Sequence, residues 1–400
     1  MKYIIVLGDG MADEPIESLG NVTPLKKANT PTMDALAKCS EIGLVHTIPD
    51  GMNPGSDTAN LAVLGYNPRQ YYTGRSPLEA LSIGVDMKDT DVALRCNLVT
   101  LSEDGSYEEK VMLDHSSSEI STRDAKVLLE AVKRELENEV YKYYVGTSYR
   151  HLTIWDCGEI VDLTPPHDIL GKGIGAYVPT HWTLREMMEK SYEILNNHPL
   201  NLERAKQGLN KANSIWFWGA GTRPALDSFE NKTGKRGAMI SAVDLLKGIA
   251  TGAKMKVIQV EGADGTLHTN YEGKAKACVK ALLEDDCDFV YVHVEAPDEM
   301  GHQGSIENKI KAIEYLDEKV IKGIKEDMER AGTKYRRLIL PDHPTPIAKR
   351  THTADPVPYM LFDSTTALGN NPWYDEEQAK ATGHLWKEGY RLIDALLQIQ

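Results

Sequence analysis

Six acidic and imidazole side chains are spaced along this 400-residue chain as if to act together. Asp9 follows the apolar run Tyr3 to Leu7, Asp298 and His302 follow Phe289 to Val294, Asp342 and His343 follow Leu338 to Leu340, and His352 comes within ten residues of His343. Asp298 and His302 are four apart, so one helical turn places both on the same side. Asp342 and His343 are adjacent and must diverge, which suits two ions better than one. Carboxylates with imidazoles suit zinc and manganese, and two such ions about 3.5 to 4 Å apart form the clamp used for phosphoryl displacement. Ser56, after Gly55 and at the start of an expected helix, adds a hydroxyl near backbone N–H groups that favour anions, and a bound metal would lower its pKa. Taken singly, Asp9 is a turn residue, Ser56 an N-cap, and each Asp/His pair a surface hydrogen bond. The set at successive strand ends carries the argument.

The elements that must position these groups read as strand then helix. The runs Tyr3 to Leu7, Lys256 to Val260, Phe289 to Val294 and Leu338 to Leu340 predict buried strands, and ligands in open α/β sheets bind at strand carboxyl ends. Helices are predicted after Thr30-Pro31, over Thr58 to Leu64, over Lys274 to Leu283 and over Ile306 to Met328, and Ser76-Pro77-Leu78-Glu79 has the form of a capping box. Between residues 89 and 235 the texture changes to alternating segments, Val92 to Leu101 and Leu152 to Trp155, with a polar helix near Ser121 to Glu137. The reading is an α/β domain over 1–88 and 236–400, a mostly parallel sheet with helices on both faces, interrupted by an inserted α+β domain over 89–235.

Composition narrows the function classes. Forty-five Lys plus Arg against fifty-nine Asp plus Glu leave a net charge of −14, which repels nucleic acid and anionic lipid. Five scattered cysteines, Cys39, Cys96, Cys157, Cys278 and Cys287, lack a C-x-x-C pair, so any metal must use Asp and His. No apolar stretch is long enough for a membrane span, and the start has neither the length nor the flanks of a signal peptide, so a cytoplasmic protein is expected. Gly171-Lys172, Gly234-Lys235 and Gly273-Lys274 lack the earlier glycine of a phosphate-binding P-loop, and Gly171-x-Gly173-x-Gly175 is too short for a dinucleotide fingerprint. A non-catalytic, metal-stabilised binding protein is the alternative class.

The stretches VLGDGMAD, TPLKKANTPTMDALA, PGSDTANLAVLGYNP, YYTGRSPLEALSIG, HVEAPDEMGHQG and LPDHPTP resemble the archaeal-type cofactor-independent phosphoglycerate mutases of the alkaline phosphatase superfamily. The resemblance implies a metal-binding phosphatase-like domain with an inserted substrate-binding cap. It implies one ion held by Asp298, His302 and His352 and another by Asp9, Asp342, His343 and Ser56, with Mn²⁺ as the leading metal and Zn²⁺, Co²⁺ or Mg²⁺ as alternatives. Ser56 would take the phosphoryl group of 3-phosphoglycerate and return it to the glycerate 2-hydroxyl, with no need of 2,3-bisphosphoglycerate. Such a substrate needs cations, best supplied as guanidinium. Arg95, Arg150 and Arg223 of the insertion, Lys247, and Arg75 in the metal-bearing part are the candidates, with His115 and His151 for proton transfer. The segment LDHSSSEIST stands where archaeal-type mutases often carry Arg-Ala-Gly-Arg, so another hydroxyl acceptor, homoserine or water, is the alternative within this chemistry. Oligomeric state is not legible.

Overall fold

The computed structural model describes residues 1–399. Contacts divide the chain into two units, one formed by residues 1–72 with 225 onward and the other by Thr73–Pro224. The sequence reading set these joints later, after 88 and 235. The difference has a local cause: the helix Arg75–Ser82 packs on Val92–Leu101 and Ser214–Thr222, strands of the second unit. Among the described residues no helix is long and apolar enough to cross a membrane.

The first unit is built on an eight-stranded sheet whose three central strands are β1 (Lys2–Gly8), β2 (Phe289–Val294) and β3 (Tyr335–Leu340), in the order β3-β1-β2. Both β1 pairings are parallel, and the sheet continues beyond β2 through the parallel strands Gly237–Ile240 and Lys256–Ile258. Beyond β3 it turns antiparallel at Val357–Asp363 and Glu41–Val45, and Leu385–Trp386 closes that edge. Ile4, Ile5, Val6 and Leu7 are all fully buried, so β1 is covered on both faces, as continuous apolar strands of parallel sheets are. Each such side chain contributes about 1.5–3 kcal/mol of burial.

The expected helix over Ile306 to Met328 is not uniform. It runs as α-helix over Ile306–Tyr315, widens to a π-helix over Leu316–Ile321, and resumes as α-helix over Lys322–Arg330. In the wide segment the buried Asp317 accepts hydrogen bonds from the N–H groups of Thr32 (3.0 Å) and Met33 (2.6 Å), capping the helix Pro31–Ala37 in place of the Thr30 side chain. Arg337 of β3 is fully buried and donates from Nη1 to Ile321 O at 2.8 Å.

The second unit is an antiparallel sheet of five strands. Val92–Leu101 pairs with Arg150–Trp155 on one side and Ser214–Thr222 on the other, Tyr141–Thr147 extends the sheet, and Met112–Asp114 joins at one end. The helix Thr122–Leu136 is capped by the Ser121 hydroxyl, and it buries Leu128, Leu129 and Val132 in a core shared with the central strand. The expected Ser76–Glu79 capping box does not form: Gly74 precedes the helix and Ser76 Oγ donates to Gly219 O instead.

Candidate active site

Because β1, β2 and β3 are adjacent and parallel, their carboxyl ends lie side by side, with Leu7 opposite Leu340 and Gly8 opposite Val294. Asp9 leaves β1 with its N–H bound to Val294 O at 2.9 Å. Two short helices complete the arrangement: α1 (Ser56–Val63), with Ser56 as its first residue, and α2 (Ala296–Gln303), which starts just past β2 with Pro297 in its first turn. Gly10 makes the turn after β1 at φ +56°, and a Cβ there would run into Asp298 Oδ1 and Thr345 Oγ1, so the position requires glycine twice over.

All seven side chains read from the sequence converge. Ser56 Oγ is 3.1 Å from His343 Nε2, which is 3.6 Å from Asp9 Oδ1 and 3.3 Å from Asp342 Oδ2. His302 Nε2 lies 3.2 Å from Asp298 Oδ2 and 3.0 Å from His352 Nε2, and His352 Nε2 is 3.4 Å from Asp298 Oδ1. The His343 and His352 rings stack with centroids 3.8 Å apart, linking the two halves. Asp9, Asp342 and His343 form one group able to hold a cation, and Asp298, His343 and His352 form another, so the adjacent His343 faces both. His302 sits against the second group through Asp298 and His352.

The electrostatics fit divalent cations. Burial, then the charges of Asp342 and Asp298, push the Asp9 carboxyl well above the usual range. Its Oδ1 is buried with no hydrogen-bond partner among the described residues, an open acceptor of the kind a cation satisfies. Asp298 is held well below the carboxylate range: burial opposes its charge, but hydrogen bonds from His302 and His352 outweigh it. The same bond to Asp298 raises His302 to about 9. Burial lowers His343 and favours a neutral ring, with Nε2 3.1 Å from the Ser56 hydroxyl.

Several residues of the site escaped the sequence reading. Asn60 donates to Ser56 O at 2.8 Å and to Asp342 Oδ2 at 2.9 Å, and it accepts from the Tyr291 hydroxyl. It stands four residues after Ser56, so the spacing that pairs Asp298 with His302 also points to it. Thr345 Oγ1 donates to Asp298 Oδ1 and lies 3.3 Å from His343 Nδ1. Lys309, fully buried, binds Asp13 Oδ2 at 2.7 Å and Thr345 O at 2.8 Å. His293 breaks the apolar run of β2 two residues after Tyr291, and both share one face of the strand.

Known proteins resemble this chain along nearly its whole length. The family model described as 2,3-bisphosphoglycerate-independent phosphoglycerate mutase matches residues 37–201. A protein of Geobacter sulfurreducens named as a probable 2,3-bisphosphoglycerate-independent phosphoglycerate mutase is 48% identical over 99% of this chain and 100% of its own length. The enzyme of that name from Methanosarcina mazei is 47% identical, with 95% of each chain covered. This chain belongs to the 2,3-bisphosphoglycerate-independent phosphoglycerate mutase family. A solved Pyrococcus horikoshii protein superposes on this mutase-family chain with a TM-score of 0.82 at 28% identity, covering 100% of this chain and 98% of that one. The cofactor-independent phosphoglycerate mutase of Thermoplasma acidophilum gives 0.68 at 26%, covering 100% and 99%.

Within this family member, the candidate anion-binding residues separate. Arg75, expected in the metal-bearing part, opens the helix Arg75–Ser82 of the second unit. Its Nε lies 2.9 Å from Glu79 Oε1, which also receives Arg95 Nη2 at 2.8 Å. Burial lowers Arg95 to about 10, Glu79 partly offsets this, and its guanidinium lies 4.4 Å over the Trp218 ring. Arg150 is exposed over the Tyr149 ring, and among the described residues no acid pairs with it. The edges of His115 and His167 extend the cluster towards Tyr149 and Trp218. Arg223 and Lys247 are each tied to an acid, Asp89 and Asp244 respectively, and Lys247 belongs to the first unit. His151 is buried, accepts from Gly146 N–H at 3.1 Å, and is lowered to about 4 by burial, so its ring is a neutral part of the sheet core.

Proposed function

We propose that this protein interconverts 3-phosphoglycerate and 2-phosphoglycerate without 2,3-bisphosphoglycerate, through a phosphoserine at Ser56. The observation that carries the reading is the Ser56 hydroxyl at the first residue of α1, 3.1 Å from His343, inside a ring of acids and imidazoles drawn from three adjacent strand ends. Asp298, His302 and His352 would hold one divalent ion and Asp9, Asp342, His343 and Ser56 the other, with Mn²⁺ the leading metal. Bound there, the ions supply Lewis-acid charge for a transferring phosphoryl group.

The chain's own groups do the rest. The first turn of α1 presents N–H groups that favour the phosphate. Asn60 bridges Ser56 O and Asp342, so the nucleophile and the carboxylate keep their separation. The Oγ–P bond forms as the bond from phosphorus to the glycerate 3-oxygen breaks, and the proton lost by the serine is matched by the one gained by the departing oxygen. The glycerate 2-hydroxyl then attacks phosphorus and restores Ser56. In the second unit, the exposed Arg150 guanidinium has the charge and planarity to take a carboxylate or phosphate.

The test is a coupled assay with enolase on Mn²⁺-loaded protein. Formation of 2-phosphoglycerate from 3-phosphoglycerate with no added bisphosphoglycerate is the expected result. A flat trace overturns it, and release of free phosphate or phosphorylation of homoserine would assign the same site to a different acceptor.

A further inference from the structure

Behind Asp9 lies a line of buried ionisable groups that belongs to neither metal group. Asp9 Oδ2 is at ion-pair distance from His293 Nε2, 3.1 Å and off hydrogen-bond alignment, while Oδ1 faces His343. His293 Nδ1 is 3.1 Å from Glu295 Oε1 and 3.1 Å from Ser241 Oγ. Glu295 Oε1 also accepts from Ala242 N–H at 2.7 Å, and Oε2 is ion-paired with Lys274 Nζ, which donates to His293 O at 2.8 Å. His293 and Lys274 are 0% exposed and Glu295 4%.

Such a line is a poor stability device. Buried ion pairs lose about as much in desolvation as they gain in attraction, and apolar residues of similar volume do as well. What the line does fix is orientation. A carboxylate free to turn offers either oxygen to a cation, whereas one whose Oδ2 is held by an imidazole offers Oδ1 alone. Glu295 fixes the ring, and Lys274 fixes Glu295. Outer partners of this kind change metal affinity about 10- to 100-fold when removed.

We propose that His293 is a positioning residue which, backed by Glu295 and Lys274, holds Asp9 Oδ2 and so sets the affinity of the Asp9, Asp342 and His343 group for a divalent ion. The inference rests on the metal reading above and extends it to residues outside the ligand set. Among the described residues no side-chain hydrogen bond or ion pair joins Asp298, His302 or His352 to the line.

The experiment titrates metal-stripped full-length protein with Mn²⁺ and follows free hexaaqua Mn²⁺ by electron paramagnetic resonance, which reports affinity without any turnover. The parent protein is expected to bind two ions. In His293→Asn the amide stands where Nδ1 was and cannot reach Asp9, so one site weakens about 10- to 100-fold and the other is unchanged. In His293→Gln the amide reaches the former Nε2 position, and affinity stays within about threefold of the parent. If His293→Asn shows no cooperative melting, the near-isosteric Glu295→Gln carries the test, with weakening of the same single site expected. Equal affinities in parent and variants, equal losses in Asn and Gln, or equal weakening of both sites would overturn the inference while leaving the metal reading intact. A parent that binds fewer than two ions overturns the metal reading and this inference together.

Discussion

The two units organise their charged groups in opposite ways. In the first, parallel strands deliver Asp9, Asp298 and Asp342 to one edge because β1, β2 and β3 all end on the same side. In the second, antiparallel strands send successive ends in opposite directions, so Arg95, Arg150 and Trp218 meet only through cross-strand register, with Arg95 opposite Trp218 and Asn97 opposite Arg150. Parallel order makes a site from residues that follow apolar runs, while antiparallel order makes one from residues that face each other across paired strands. The first kind of site concentrates like charge and calls for cations. The second offsets its own charge only in part, with Glu79 shared between Arg75 and Arg95 and Arg150 without an acid partner among the described residues.

Four measurements would break or sharpen this contrast. Ser56→Ala is expected to lower kcat by roughly 10⁴-fold or more in the coupled assay, with the melting curve retained. A variant keeping its turnover would detach chemistry from the strand-end site. The second unit should answer to acid through His151. Its folded pKa, about 4, lies below the unfolded 6.5, so its stability contribution is complete above pH 6.5 and is lost as pH falls towards 4. By pH 4 this loss is about 3 kcal/mol, read as the difference in urea stability between the parent and His151→Asn, whose side-chain oxygen still accepts from Gly146 N–H. Parallel pH profiles for the two proteins would refute it. Chelation acts on the first unit: Mn²⁺ at about 100 times its Kd should add about 2.7 kcal/mol, and EDTA should remove that increment together with activity. An unchanged melting temperature would speak against crowded acids relieved by metal. The smallest effect belongs to Arg150→Met, expected to raise KM about tenfold while changing stability by less than about 0.5 kcal/mol. An unaltered KM would remove Arg150 from substrate binding.

Asp9, Asp342 and His343 were legible because the physics that places them is one-dimensional: a buried run, its end, and the polar residues that follow, while Asp298 and His302 rest on helical spacing and Ser56 on a helix start. Asn60 stands at the same helical spacing from Ser56 but is neither an acid nor an imidazole, so its type does not mark it as a member of the site. His293 was hidden by its company, since FVYVHV reads as a plain apolar strand until the face shared with Tyr291 is considered. In the second unit, Arg95 and Arg150 could be proposed as cations, but Trp218 and Tyr149 became their partners only through pairing register and ring stacking, which no local pattern encodes. Glu79 was misread for a related reason. Ser-x-x-Glu fits a cap locally, yet Ser76 finds Gly219 O and Glu79 finds two arginines. Local propensity gave way to tertiary partners in each case.

The wide turn over Leu316–Ile321 acts as a built-in twist in an otherwise regular rod. One residue is worth about 100° of rotation, so the surplus residue there resets the angular phase of everything that follows. Ile324 and Met328 face the core because of that offset. Forcing all six residues of Leu316–Ile321 into an even α-helical screw, with none removed, would advance the phase by about one residue and swing both side chains towards solvent. It would also withdraw Asp317 from Thr32 and Met33, and Ile321 O from Arg337 on the strand that leads into Asp342 and His343. Substitutions there that favour an even screw would therefore be less tolerable than most changes nearby.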